Sequence, residues 1–110
     1  MANTPEAELV FVVDVTSFTK KGFVGTTTYQ GKRVDLEFDD ENGGVSLTPE
    51  MAKRIHVRKG STILLLIEND RLQKSEATVA SVGRALRISD PKTYYAVGKE
   101  GGAIIRIRKG

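Results

Sequence analysis

The side chains best suited to chemistry in this 110-residue chain are basic. Lys53, Arg54, Arg58 and Lys59 crowd one short stretch, and Arg84, Arg87, Arg106 and Arg108 recur further on. The formal net charge of +3 hides a division. Residues 1–52 hold four basic and nine acidic side chains, a sum of −5, whereas residues 53–110 hold thirteen basic and five acidic, a sum of +8. A basic half attracts phosphate backbones by counterion release, although lysine and arginine also keep strands soluble and their edges unpaired. The expected function is non-enzymatic binding of nucleic acid, DNA above all, through phosphate contacts. The alternatives are a protein-interaction adaptor, using Leu64 and Leu66 or Tyr94 and Tyr95, and a ligand-binding barrel.

Catalytic constellations are scarce, and no catalytic residue, metal or cofactor is expected. His56 is the single histidine, placed between Arg54 and Arg58 with no nucleophile or metal partner in sequence, and reads as a surface or capping residue. "KGST" (59–62) has the letters of a phosphate loop's end in the wrong order and without the spaced upstream glycine, so a helix exit turn is the simpler reading. Counted as a calcium loop, Asp39, Glu41, Gly44 and Glu50 fall at suitable positions. Gly43 nevertheless offers no side-chain oxygen where a ligand is required, and a strand precedes the loop where a helix should enter. With no cysteine, disulfides and thiolate chemistry are excluded.

The elements that must position these groups are mostly strands. "ELVFVVDV" (8–15) is β-branched and aromatic, "KGFVGTTTYQ" (21–30) is threonine-rich, and "KRVDLEFD" (32–39) alternates strictly, with Val34, Leu36 and Phe38 on one face. Gln30 and Gly31 form a two-residue hairpin link. "DDENGG" (39–44) breaks the pattern. At Thr48 the period changes: Thr48 is an N-cap, Pro49 suits the first helical position, and Glu50 favours the positive end of a short helix reaching Ile55 or Val57. Met51, Ala52 and Ile55 face its core side. Lys59-Gly60 supplies the exit before a strand over 61–68, and 73–83 and 84–89 are again strand-like.

The plan recurs. A shift of 42 lays Asp90 on Thr48, Pro91 on Pro49, Val97 on Ile55, Gly102 on Gly60, Ile105 on Ile63 and Ile107 on Leu65. Three of these pairs are identities, and they fall where physics dictates residue type: first-turn proline, exit glycine and inward strand residue. Each half then reads strand, strand, short helix, strand, a unit too small to cover its own core. The expectation is an all-β, six-stranded pseudo-twofold barrel with two short helices, one domain over 1–110. It comprises an N-terminal extension strand (1–16), a first half (21–68) and a second half (73–108). An open sheet, or halves exchanged between two chains, remain the alternatives. Leu64 and Leu66 face outward where the other half has Arg106 and Arg108, so residues 9–15 should pair beside that strand, or a second copy should cover it as a homodimer.

"VSLTPEMAKRIHVRKGSTILLLI" resembles the half-repeat of the cradle-loop barrel superfamily, the AbrB-like swapped-hairpin regulators and the single-chain RIFT and double-psi barrels. The likeness is most specific at Leu47-Thr48-Pro49-Glu50, Ile55, Lys59-Gly60 and Ile63 to Leu66. It implies a fused single-chain barrel, since AbrB-like chains carry one half and dimerise. Barrels of this kind also act as adaptors and as substrate-binding or catalytic domains, so the fold alone names no activity. The longest apolar runs, "LVFVV" and "ILLLI", are far below the ~20 residues of a membrane span, and "MANTPEAE" is acidic. A soluble, cytoplasmic protein is expected.

Overall fold

The computed structural model describes residues 7–110, so the part of the N-terminal extension before Ala7 lies outside the described residues. Eight strands close into one barrel: β1 (Glu8–Phe18), β2 (Gly22–Tyr29), β3 (Lys32–Asp39), β4 (Gly44–Leu47), β5 (Thr62–Glu68), β6 (Leu72–Val82), β7 (Arg87–Ser89) and β8 (Gly102–Lys109). Helix α1 (Pro49–Arg54) joins β4 to β5, and α2 (Pro91–Glu100) joins β7 to β8. Around the ring the order is β1-β2-β3-β7-β4-β6-β5-β8. No helix among the described residues is long and apolar enough to cross a membrane.

The all-β barrel with two short helices is as expected, but it has eight strands rather than six. One added strand is β1, expected as an extension. Its inward side chains Leu9, Phe11 and Val13 are at most 1% exposed, and it is a full wall strand with a seven-pair antiparallel ladder to β8. The other is β4, four residues long, which has no counterpart among the expected strands. Gly44 opens it at φ 86°, and a Cβ there would strike the Thr78 carbonyl of β6, so this close approach demands glycine.

The pairing of β1 also differs from expectation. Its neighbours are β2 and β8, whereas β5 lies between β6 and β8. Residues 9–15 therefore do not lie beside Leu64 and Leu66. Leu66 is 9% exposed, in register with Lys74 on β6 and Arg106 on β8, and Leu64 is half-buried in register with Glu76 and Arg108.

Where local physics decides, the structure matches the sequence. Gln30 and Gly31 both take positive φ, 50° and 79°, as a two-residue I′ hairpin turn requires, and β2 and β3 pair from Gly22·Asp39 to Tyr29·Lys32. Thr48 Oγ1 accepts the Met51 N–H at 3.4 Å. Asp90 Oδ2 accepts the Thr93 N–H at 2.9 Å and its hydroxyl at 2.7 Å, and the Ser75 hydroxyl reaches the same carboxylate. Both helices thus begin at an N-cap followed by proline.

Two parallel pairings, β3·β7 and β4·β6, flank the antiparallel pair β4·β7. Because β4 and β7 run in opposite directions, the helices that follow them sit at opposite ends of the barrel. The interior is filled from all sides by Leu36, Phe38, Val45, Leu47, Ile63, Leu65, Ile67, Ile88, Ile105 and Ile107. Ile63 and Ile105 are wholly buried. Truncating either to alanine should cost about 2 to 5 kcal/mol, the transfer term plus the cavity left behind. Urea denaturation of Ile63→Ala and Ile105→Ala checks this, and a loss below the range for both would show that the interior collapses around the missing atoms.

Candidate functional site

The end of the barrel that carries α1 gathers a group of cations with no carboxylate partner among the described residues. The helix is six residues long and anchored by buried Met51 and Ala52, with Ile55 buried just beyond it. Its last turn therefore points Lys53 and Arg54 to solvent, where cations also suit the negative end of the helix dipole. Arg54 Nε reaches the Glu8 carbonyl at 3.5 Å.

The chain leaves α1 by a Schellman turn. Val57 N–H donates to the Ala52 carbonyl at 3.0 Å and His56 N–H to the Lys53 carbonyl at 3.2 Å. Buried Val57 and Ala52 supply the apolar contact that accompanies this motif. His56 takes the left-handed position, with φ 56°. A second tight turn follows: Arg58 N–H donates to Ser61 Oγ at 3.0 Å and Ser61 N–H returns to the Arg58 carbonyl at 2.9 Å, with Lys59 and Gly60 at the tip. Gly60 N–H then donates to the Val79 carbonyl at 2.8 Å, tying the turn to β6. "KGST" is thus a helix exit turn.

Between α1, this turn and the end of β6 lies a cleft of about 580 Å³, lined by Lys53, Arg58 and Lys59 over Val57, Ser81 and Val82. Among the described residues Lys53, Arg58 and Lys59 have no carboxylate partner. Arg84 is exposed two residues beyond Val82, in the β6–β7 connection. A smaller cleft of about 340 Å³ lies on the side of α1 facing the end of β8, lined by Ala7, Ile55, His56, Arg108 and Lys109.

The remaining candidates are placed differently. Arg87 pairs with Glu37 at 3.3 Å, both half-exposed, beside a third cleft that also holds Lys20 and Lys21. Arg106 Nη1 and Arg108 Nε grip the two oxygens of Glu8 at 3.0 and 2.7 Å. Of the eight candidates, Lys53, Arg58 and Lys59 share one cleft, Arg54 adjoins it on α1, Arg84 is exposed in the β6–β7 connection, Arg108 lines the second cleft while paired with Glu8, and Arg87 and Arg106 are tied to acids on the wall. Lys109 and His56 complete the basic end and were not among the candidates. A signal for His56 existed: "AKRIHV" ends a helix with an apolar residue two positions after Arg54's neighbour Ile55 and no glycine between, so a side-chain-bearing residue must take the left-handed turn.

The acids that match a calcium-loop spacing are divided. Asp39 is buried, accepting from Ser89 Oγ at 2.9 Å and the Glu41 N–H at 3.0 Å, while β4 separates it from Glu50 in α1.

The titration of Glu8 is displaced. The hydrogen bond from Arg108 is the largest cause, reinforced by the charges of Arg108 and Arg106 and opposed by burial, and together they hold its carboxyl below the usual carboxylate range. A lowered folded-state value stabilises the fold above the unfolded-state value of about 4.3, and that contribution is lost as pH falls through the folded-state value. Glu8→Gln should accordingly be less stable than wild type at pH 7, and the two should converge as pH drops below about 4. Urea midpoints measured from pH 7 to 3 check this; a constant gap across the range would mean that Glu8 acts by packing instead of charge. Comparison with protein-family models, with curated proteins and with solved structures finds no match to this chain.

Proposed function

We propose that the protein is a non-enzymatic nucleic-acid-binding barrel that grips phosphate through its α1 end. The observation carrying this reading is the cleft lined by Lys53, Arg58 and Lys59, which have no carboxylate partners among the described residues, with Arg54 beside it and Arg84 close by in sequence to its rim. Cations left unpaired on a rigid scaffold are available to release counterions from a phosphate backbone, whereas Arg87, Arg106 and Arg108 are already paired with acids. The site offers cations and few aromatic faces, which favours backbone contact over base stacking. Neither a cofactor nor a catalytic group enters the reading.

The same proposal takes the fold as a duplicated cradle-loop half-barrel closed within one chain. Exchanging β3 with β6, β4 with β7 and β5 with β8 maps the β3·β7 pairing onto β4·β6 and returns β4·β7 and β5·β8 to themselves, which supports a pseudo-twofold origin. On this view the first half begins at β3 and not at residue 21 as expected from the sequence, and β1 and β2 are a hairpin let into the ring between β8 and β3.

Affinity for a duplex DNA of about 20 base pairs should fall linearly in log–log form with salt, at a slope near −0.9 per phosphate contacted. Replacing Arg54 and Arg58 together by alanine should weaken binding evenly across sequences and flatten the slope by roughly one to two units. Fluorescence anisotropy at several salt concentrations reads both. No binding at ~50 mM salt, or a slope untouched by the double substitution, would remove the nucleic-acid reading.

A second reading, contact with another protein or a second copy, rests on the outer wall, where Val10, Val12 and Leu72 are 40%, 61% and 63% exposed. If that wall joins two copies, sedimentation velocity should show a concentration-dependent dimer that Val12→Asp abolishes. A monomer at all concentrations would dismiss the homodimer.

A further inference from the structure

His56 is held in a conformation that costs the fold something. At the left-handed position of a Schellman turn, any side chain brings its Cβ against the backbone, which is why glycine usually stands there. The protein uses glycine for this purpose elsewhere: α2 leaves through Gly101 at φ 76°. Nothing in the packing calls for the imidazole at the α1 exit. His56 is exposed, and the apolar contact of the motif is made by Val57 and Ala52. Its backbone N–H bond to the Lys53 carbonyl would be made equally well by glycine. Backbone strain kept at a position where the fold gains nothing from the side chain points to a use for that side chain.

The surroundings say what use. His56 opens on the cleft of about 340 Å³ with Arg108 and Lys109, and Ile55 and Ala7 close its apolar side. The Arg108 guanidinium is held by Glu8 at 2.7 Å, so its position is fixed. Lys109 is exposed and lies in the last residues of β8. An imidazole N–H and an ammonium at one small cleft offer donors to an oxyanion, and the Arg108 guanidinium, engaged by Glu8, adds a fixed positive wall beside them. The cleft lies across α1 from the one lined by Lys53, Arg58 and Lys59, so a phosphate backbone crossing α1 would meet both.

We infer that His56 contacts ligand directly, donating to a phosphate oxygen in the cleft it shares with Arg108 and Lys109. This rests on the phosphate-binding reading above and adds to it a second subsite and a ligand residue.

As the single histidine, His56 gives one imidazole signal set in an NMR spectrum of the whole protein. Two ligands are titrated, the 20-base-pair duplex and inorganic pyrophosphate, and His56→Gly and His56→Asn are measured beside wild type. Movement of the His56 signals with either ligand is expected. For His56→Gly, duplex affinity should fall at least several-fold while the melting temperature stays level or rises, since the left-handed strain is relieved. His56→Asn, which tolerates this conformation but has a shorter reach, should lose affinity too. Duplex binding that leaves the His56 signals still and is unchanged in both variants would overturn the subsite while sparing the nucleic-acid reading. Movement with pyrophosphate but no duplex binding would keep the oxyanion subsite and reject nucleic acid. Still signals with both ligands would overturn the inference outright, as would a His56→Gly protein that melts lower than wild type and binds as well.

Discussion

The barrel depends on β8 being paired along both edges. In register across β1, β8 and β5 stand Leu9, Ile107 and Leu65 in one inward row, and Phe11, Ile105 and Ile67 in the next. All six are buried, so two rows of one three-stranded unit supply much of the core while their backbone groups are satisfied by antiparallel ladders. Remove β8 and two edges open together, each lined with unpaired main-chain donors and acceptors. The outer face carries a register lock as well. Arg106 and Arg108 are two residues apart and so share the solvent side, and Glu8 reaches both. A slip of one residue would turn these guanidinia inward and the isoleucines outward.

That lock explains why the charge division along the chain does not become two charged faces. The halves meet where β1 lies beside β8 and β3 beside β7, so acids of the first half face bases of the second. Glu8 takes Arg106 and Arg108, and Glu37 takes Arg87. Among the cations these pairings leave unmatched in the described residues is the group at the exit of α1. Pairs as exposed as Arg87–Glu37 add little to stability, but they still remove a cation from the set available to an outside anion.

Legibility in the sequence follows the range of the interaction. The caps at Thr48 and Asp90, the Gln30-Gly31 turn and the inward run Ile63, Leu65, Ile67 are decided within a few residues, and each stands as expected. Membership of the ring is decided by residues far apart in sequence, and there the expectation of six strands was wrong. β1 reads like any apolar strand whichever neighbour it takes, and β4 is too short to show a period. The site divides the same way: Lys53, Arg54, Arg58 and Lys59 cluster because they are close in sequence, while the neutralisation of Arg106 and Arg87 needs partners 98 and 50 residues away.

The antiparallel β4·β7 pair separates the two ends, and the ends differ in what they can do. At the α2 end Phe23 lies between Phe38 and Tyr94, with ring centroids 4.9 and 5.1 Å away, and Asp90 is buried in a three-donor cap. Side chains there are part of the packing, so changing them disturbs the core. At the α1 end the helix is short, its buried anchors are few, and Lys53, Arg58, Lys59 and His56 project from turns whose backbone is fixed by Schellman and β6 hydrogen bonds. Such turns hold a side chain in place without enlisting it in the core, which is the condition under which a surface can change its ligand chemistry while the barrel beneath stays the same.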